Sequence, residues 1–150
     1  MAKKKESKYY EAIGRRKEAV ARIRLHLTDK DKSTDVGGMK VKAGEIFVNK
    51  KPITQVFPNQ QAMNRYLLPL KLTNNENRFA VTIIVKGGGK SGQLDAIIHG
   101  LARAIEKVDK QTYRLVLKKR LLLRRDARVK ERRKVGTGGK ARRKKQSPKR

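Results

Sequence analysis

Along residues 18–27 apolar and polar positions mostly alternate, with Val20, Ile23, Leu25 and Leu27 set against Arg24 and His26, which is the pattern of a strand with one wet face. A second run, F-A-V-T-I-I-V-K over residues 79–86, is strongly β-branched and apolar, as expected of the central strand. Beyond it Leu94, Ile97, Ile98, Leu101, Ile105 and Val108 recur at spacings of three and four. They predict a helix that Ser91 can cap and that lies on the sheet. Its small residues Ala96, Gly100, Ala102 and Ala104 allow close approach, while His99, Arg103 and Lys107 stack on another face. A further helix over about residues 110–121 places Tyr113, Val116, Leu117 and Leu121 on one side.

Shorter signals fill the middle of the chain. Residues 45–49 read as a strand, and a short helix starts near Pro52 and stops by Phe57-Pro58. Asn59 then caps another helix that carries Met63, Tyr66 and Leu67 on one face and ends at the turn Thr73-Asn74-Asn75. The polar, glycine-rich stretch 28–44 reads as a long hairpin connection with short pairing around residues 39–41. The seven aromatics, Tyr9, Tyr10, Phe47, Phe57, Tyr66, Phe79 and Tyr113, are spread through the expected core and form no base-stacking strip on one strand.

Charge changes the picture most. Residues 118–150 hold 17 of the chain's 41 lysines and arginines and only two acids, Asp126 and Glu131, so a net +15 of the total +28 lies there. Beyond Val135 there is almost no apolar surface whose burial could offset the entropy of ordering, so this segment needs a polyanion, for which a nucleic-acid backbone is the commonest source. The expected organisation is a basic lead over residues 1–8, one globular domain over 9–121 and an extended basic tail over 122–150. Asp126 and Glu131 are expected to orient neighbouring arginines. The absence of cysteine excludes disulfides and thiolate metal sites, and His26 and His99 are far apart. They read as a strand-surface and a helix-surface residue. No signal peptide or membrane span is apparent, so a soluble protein with no membrane partner is expected.

Three features bear on chemistry. Gly87-Gly88-Gly89-Lys90-Ser91 lies between a strand and a helix, as a phosphate-binding loop would, but the glycine a nucleotide-hydrolysing loop needs five residues before Gly89 is replaced by Ile84, within the strand. Amides at Gly88 and Gly89 with Lys86 and Lys90 can hold a nucleic-acid phosphate instead, and a tight structural turn alone accounts for the same glycines. Gly14-Arg15-Arg16-Lys17 precedes a strand. It reads either as an edge blunted by charge or, favoured here, as phosphate contacts in which arginine supplies a bidentate fork. No nucleophile is paired with a base at a visible spacing, so no enzyme, cofactor or small-molecule substrate is expected.

Three segments then become familiar: Ala12-Ile13-Gly14-Arg15-Arg16-Lys17 with the Ala19-Val20-Ala21-Arg22 that follows; G-G-G-x-x-G-Q-x-x-A-x-x-x-G-x-A-R-A-I, which sets eleven positions over the nineteen residues 87–105; and Arg125-Asp126-Ala127-Arg128 with Glu131 to Gly136 and a Lys149-Arg150 terminus. Together they resemble the family of the universal ninth protein of the small ribosomal subunit, in its bacterial form. The resemblance covers residues 10–150.

The resemblance implies a compact α+β fold, a two-layer mixed β-sheet with helices on one face and a left-handed βαβ unit like the second domain of the fifth small-subunit protein. It implies a cytoplasmic, ribosome-bound constituent of translation, docked on the RNA of the subunit head, the three-prime major domain, beside other head proteins. Ribosomal RNA contact is carried to Arg15, Arg16, Lys17, Lys86, Gly88, Gly89, Lys90, Arg125, Arg128, Arg132, Arg133, Lys134, Arg142, Arg143, Lys144 and Lys145. The tail is expected to reach the anticodon stem-loop of the P-site tRNA through Lys149 and Arg150; fifteen extended residues from Gly136 span roughly 50 Å. Family members end with an aromatic and a serine before Lys-Arg, whereas this chain reads Gln146-Ser147-Pro148. Its 28–44 connection is also longer than the family leads one to expect. A DNA-condensing basic protein explains the charge but not the glycine turn and its helix.

Overall fold

The computed structural model describes residues 9–28, 33–36, 38–139 and 141–142. Among the described residues, seven strands and four helices follow in order: β1 (Tyr9–Arg16), β2 (Ala19–Leu27), β3 (Ser33–Val36), β4 (Met39–Lys42), β5 (Ile46–Val48), β6 (Lys51–Pro52), α1 (Ile53–Val56), α2 (Gln60–Leu72), β7 (Phe79–Lys86), α3 (Lys90–Val108) and α4 (Lys110–Lys119). One sheet has the order β1-β2-β7-β5-β6, and β3 and β4 form a separate hairpin. All the main-sheet pairings are antiparallel except β5 with β7, so the sheet is mixed. The chain returns from β5 to its parallel neighbour through α1 and α2, as a parallel pair requires.

β7 occupies the centre of the sheet, as its apolar run predicts. Its Phe79, Val81, Ile83 and Val85, with Ala21, Ile23 and Leu25 of β2, face Leu94, Ile97, Leu101 and Ile105 of α3 in one buried core. Each large aliphatic side chain so buried contributes roughly 1.5–3 kcal/mol relative to exposure. Tyr66 and Leu70 of α2 and Leu117 of α4 close the same layer. Asn59 caps α2 through a 3.0 Å bond accepted from the Gln61 N–H, and Asp109 caps α4 by accepting from Gln111 and Thr112. Asn49 extends β7's pairing beyond the end of β5: its side-chain amide donates to the Val85 carbonyl at 3.1 Å and accepts from the Val85 N–H at 3.0 Å.

Four expectations are corrected. Residues 9–16 form the edge strand β1, so Gly14, Arg15 and Arg16 lie within a strand, where the cluster was expected to precede one and an edge strand was the less favoured reading. Its alternation is interrupted by Gly14, and its pairing with β2 and packing under α3 decide it. Val20 lies on the opposite face from Ile23 and Leu25, half-exposed, because Ala19 and Ala21 take the core positions. α3 starts at Lys90 with Gly89 as its cap residue, so Ser91 sits inside the first turn and does not cap. Tyr9 lies outside the core, 45% exposed, beneath the Arg24 guanidinium.

Candidate nucleic-acid interface

The interface begins where β7 ends. Gly87 and Gly88 take left-handed φ values of +73° and +63°, which side-chain-bearing residues adopt at a cost. Packing requires glycine here as well: a Cβ on Gly87 would lie 2.5 Å from the Glu18 carbonyl oxygen, and one on Gly88 3.1 Å from the Ala19 nitrogen. The glycine turn is thus pressed against the β1–β2 turn, so the backbone that carries Lys17 and Glu18 abuts the turn between Lys86 and Lys90. Gly89 offers no side-chain cap, and the first intrahelical bond runs from Gln93 N–H to the Gly89 carbonyl. The N–H groups of Lys90, Ser91 and Gly92 therefore point out of the positive end of a 19-residue helix.

Sheet register sets the next cations. Arg15 stands opposite Val20, which stands opposite Lys86, so Arg15 and Lys86 share the face away from the helices. Arg22 and Arg24 project from the same face two and four residues farther along β2. The alternation of the sequence placed Arg24 on the wet face, but phosphate contact was expected of neither arginine. Arg24 is committed internally: Nε lies 2.6 Å from a Glu11 carboxylate oxygen.

Arg16 differs from its neighbours. Its side chain is only 14% exposed, with Nε 3.4 Å from the Asp95 carboxylate. One terminal nitrogen meets the Asp126 carboxylate at 3.1 Å, the Asp126 carbonyl at 3.2 Å and the Arg128 carbonyl at 2.7 Å. Asp126 in turn accepts from the Arg128 guanidinium and backbone N–H. Those bonds from Arg128, first its side chain and then its amide, with the charges of Arg128 and Arg16, hold the Asp126 carboxyl well below the ordinary range. Both tail acids orient arginines as expected, since Glu131 accepts two bonds from Arg142.

A groove of about 630 Å³ follows the outer edge of β1. Arg103 donates to the Ile13 carbonyl at 2.6 Å, Lys107 to the Glu11 carbonyl at 2.7 Å, and Arg15 N–H to His99 Nδ1 at 3.3 Å. The stacked face of α3 noted in the sequence is therefore the cover of a sheet edge. Arg125 and Leu123, from the segment after α4, form the other wall. Burial first, and then the Arg103 charge, lower the His99 pKa against the opposing pull of backbone hydrogen bonds at Leu123 and Arg15. His26, expected at the surface, is buried at 2% exposure with Nε2 2.9 Å from Thr82 Oγ1.

Arg132, Arg133, Lys134 and Arg142 are exposed on irregular chain near Gly136, Gly138 and Gly139, all three at positive φ. Arg143, Lys144, Lys145, Lys149 and Arg150 lie outside the described residues. Among the described residues no group of three or more His, Asp or Glu is arranged to hold a metal ion, and no helix is long and apolar enough to cross a membrane.

The sequence model of the family described as ribosomal protein S9/S16 matches residues 14–150. Among similar proteins, the small ribosomal subunit protein uS9 of Rickettsia rickettsii (strain Sheila Smith) is 41% identical over 143 residues, 95% of this chain and 79% of that protein. The protein of the same name in Rickettsia prowazekii (strain Madrid E) is 41% identical over 144 residues, 96% of this chain and 79% of its own length.

Proposed function

Starting from the fact that this chain belongs to the ribosomal protein S9/S16 family, in its bacterial form, we propose that its folded part docks on the ribosomal RNA of the small-subunit head and that its tail carries cations inward to the P-site tRNA. The chain is a structural constituent of the small ribosomal subunit in the cytoplasm, serves translation within a ribonucleoprotein, and is not an enzyme.

The observation that supports the docking half is the contact of Gly87 and Gly88 with Glu18 and Ala19, which sets the backbone of Lys17, Lys86 and Lys90 and the outward N–H groups at the start of α3 at one corner of the fold. Phosphate oxygens satisfy such donors, and helix polarity favours the charge. Arg15 extends the patch across the sheet. These are contacts to the backbone of RNA, which position a protein without reading sequence.

The tail is a separate unit in this reading: residues 1–8 lead, 9–121 fold, and 122–150 extend between RNA helices, with Arg128, Arg132, Arg133, Lys134 and Arg142 to Lys145 neutralising phosphates on the way. Neighbouring head proteins complete its surroundings. Lys149 and Arg150 then meet the tRNA backbone. Deleting those two residues tests the tail. Subunits should assemble at wild-type yield and lose P-site tRNA severalfold faster in a dissociation assay; unchanged tRNA retention overturns the tRNA assignment.

A further inference from the structure

We infer that the groove along the outer edge of β1 is a second site for RNA backbone phosphates, separate from the glycine turn, and that Arg16 acts as the positioning residue that holds its outer wall. The inference rests on the docking reading above and names a further place on the fold where an RNA strand lies.

Arg103 and Lys107 come from one face of α3, Arg15 from β1 and Arg125 from the segment after α4. Arg103 and Lys107 each give one hydrogen bond to a β1 carbonyl, which fixes their heads along the edge. A guanidinium has five donors and an ammonium three, so most of their capacity is left over for a ligand. The Arg15 side chain is exposed and has no hydrogen-bond or ion-pair partner among the described residues. Glu11 is the one acid lining the groove, and its carboxylate is engaged by Arg24. Arg103, Lys107 and Arg125 thus line a common space with Arg15 at its rim, and the acid there is already paired with Arg24. A ligand carrying several negative charges at regular spacing relieves the repulsion among these cations and finds donors already placed, so little ordering cost remains.

The outer wall depends on Arg16. Leu122 and Leu123 pack against the core, and the chain is next held at Asp126 and Arg128, where Arg16 binds two backbone carbonyls and a carboxylate. Arg125 lies between these two anchors. The Nε and one terminal nitrogen of Arg16 are thus committed to protein acceptors. Its part in RNA binding is to place Arg125 across from Arg15 and Arg103.

The test is binding of the full-length chain to a transcript of the small-subunit head RNA, measured against salt concentration. Arg103→Gln, Lys107→Gln and Arg125→Gln should each reduce the slope of log affinity against log salt by about 0.7–0.9, whereas the charge-preserving Arg103→Lys keeps it. Arg16→Met should weaken binding, and adding Arg125→Gln to it should cost almost nothing more, while adding Lys90→Gln should cost its full single effect. Circular dichroism of each variant identifies any that has lost the fold. Should Arg103→Gln do so, Lys107→Gln and Arg125→Gln, exposed and outside the core, still decide. If the groove variants keep the wild-type slope while Lys17→Gln and Lys90→Gln lower it, docking stands and the groove is not part of it. If none of these changes the slope, the docking reading falls as well. Additive losses for Arg16→Met and Arg125→Gln overturn the positioning role.

Discussion

Gly14 of β1 and Gly100 of α3 meet backbone to backbone: a methyl on Gly14 would stand 1.9 Å from the Ala96 carbonyl oxygen and 2.4 Å from the Gly100 nitrogen, whereas one on Gly100 would meet Ile23 Cδ1 at 2.2 Å and the Gly14 nitrogen at 3.0 Å. The two positions are not equivalent. Gly14 faces rigid helix backbone, which cannot give without moving α3, while the first obstacle at Gly100 is the end of a side chain. Gly14→Ala should therefore destabilise by about 3 kcal/mol or more, at the upper end of overpacking costs. Gly100→Ala should cost clearly less, because alanine also recovers roughly 1 kcal/mol of helix propensity. Chemical denaturation of both variants checks the order; equal losses would contradict the contact.

Asn49 substitutes for a strand residue, since its amide makes both hydrogen bonds that a paired backbone would offer Val85. Asn49 is itself at φ +48°, a conformation asparagine tolerates better than most residues. Asn49→Ala removes two partners at the end of the central strand and should lower stability by about 1–3 kcal/mol. Hydrogen exchange at the Val85 amide should rise with it.

Asp126 organises the start of the tail through Arg16 and Arg128. Because its folded pKa is depressed, its contribution is present above the ordinary value near 3.8 and is lost only as pH falls through the lower folded value. Limited trypsin cleavage after Arg124, Arg125 and Arg128 should thus be faster in Asp126→Asn at neutral pH. In the wild type, hydrogen-exchange protection around Arg128 should survive to about pH 4, where ordinary carboxylates are half protonated.

The two histidines set a different window. Burial, aided by Arg24 at His26 and by Arg103 at His99, lowers both folded pKa values below the ordinary 6.5. The unfolded chain then binds more protons than the folded one, so stability is full above about pH 6.5 and falls as pH drops through the lower folded values. Unfolding free energy measured from about pH 7.5 down to about pH 5 should decline in the wild type. Replacing both His26 and His99 with glutamine should flatten that decline, and a slope unchanged by both substitutions would refute the assignment.

Much of the fold was legible because its signals are local. The β-branched apolar run of β7, the three-and-four spacing of α3 and the Asn59 cap act within a few residues, and the structure reproduces each. The hairpin in the long connection also appears, as β3 and β4, around the pairing expected near residues 39–41. β1 was not legible as a strand, since Gly14 and its charged neighbours obscure the apolar pattern. Nor was the burial of His26, whose partner Thr82 is fifty-six residues away.

The sequence by itself determined the sign and location of the charge, and with them the class of partner, because no fold could neutralise 17 cations against two acids within residues 118–150. It also determined which face of α3 turns inward, since periodicity is written into consecutive residues. Only the tertiary structure decided what each cation does. Arg15 and Arg16 are adjacent in the chain, yet one is exposed on the edge of a groove and the other is spent on acceptors up to 112 residues away. The reason is that successive strand residues point to opposite faces, and what waits on each face is set by the packing of α3 and the path of the chain beyond α4.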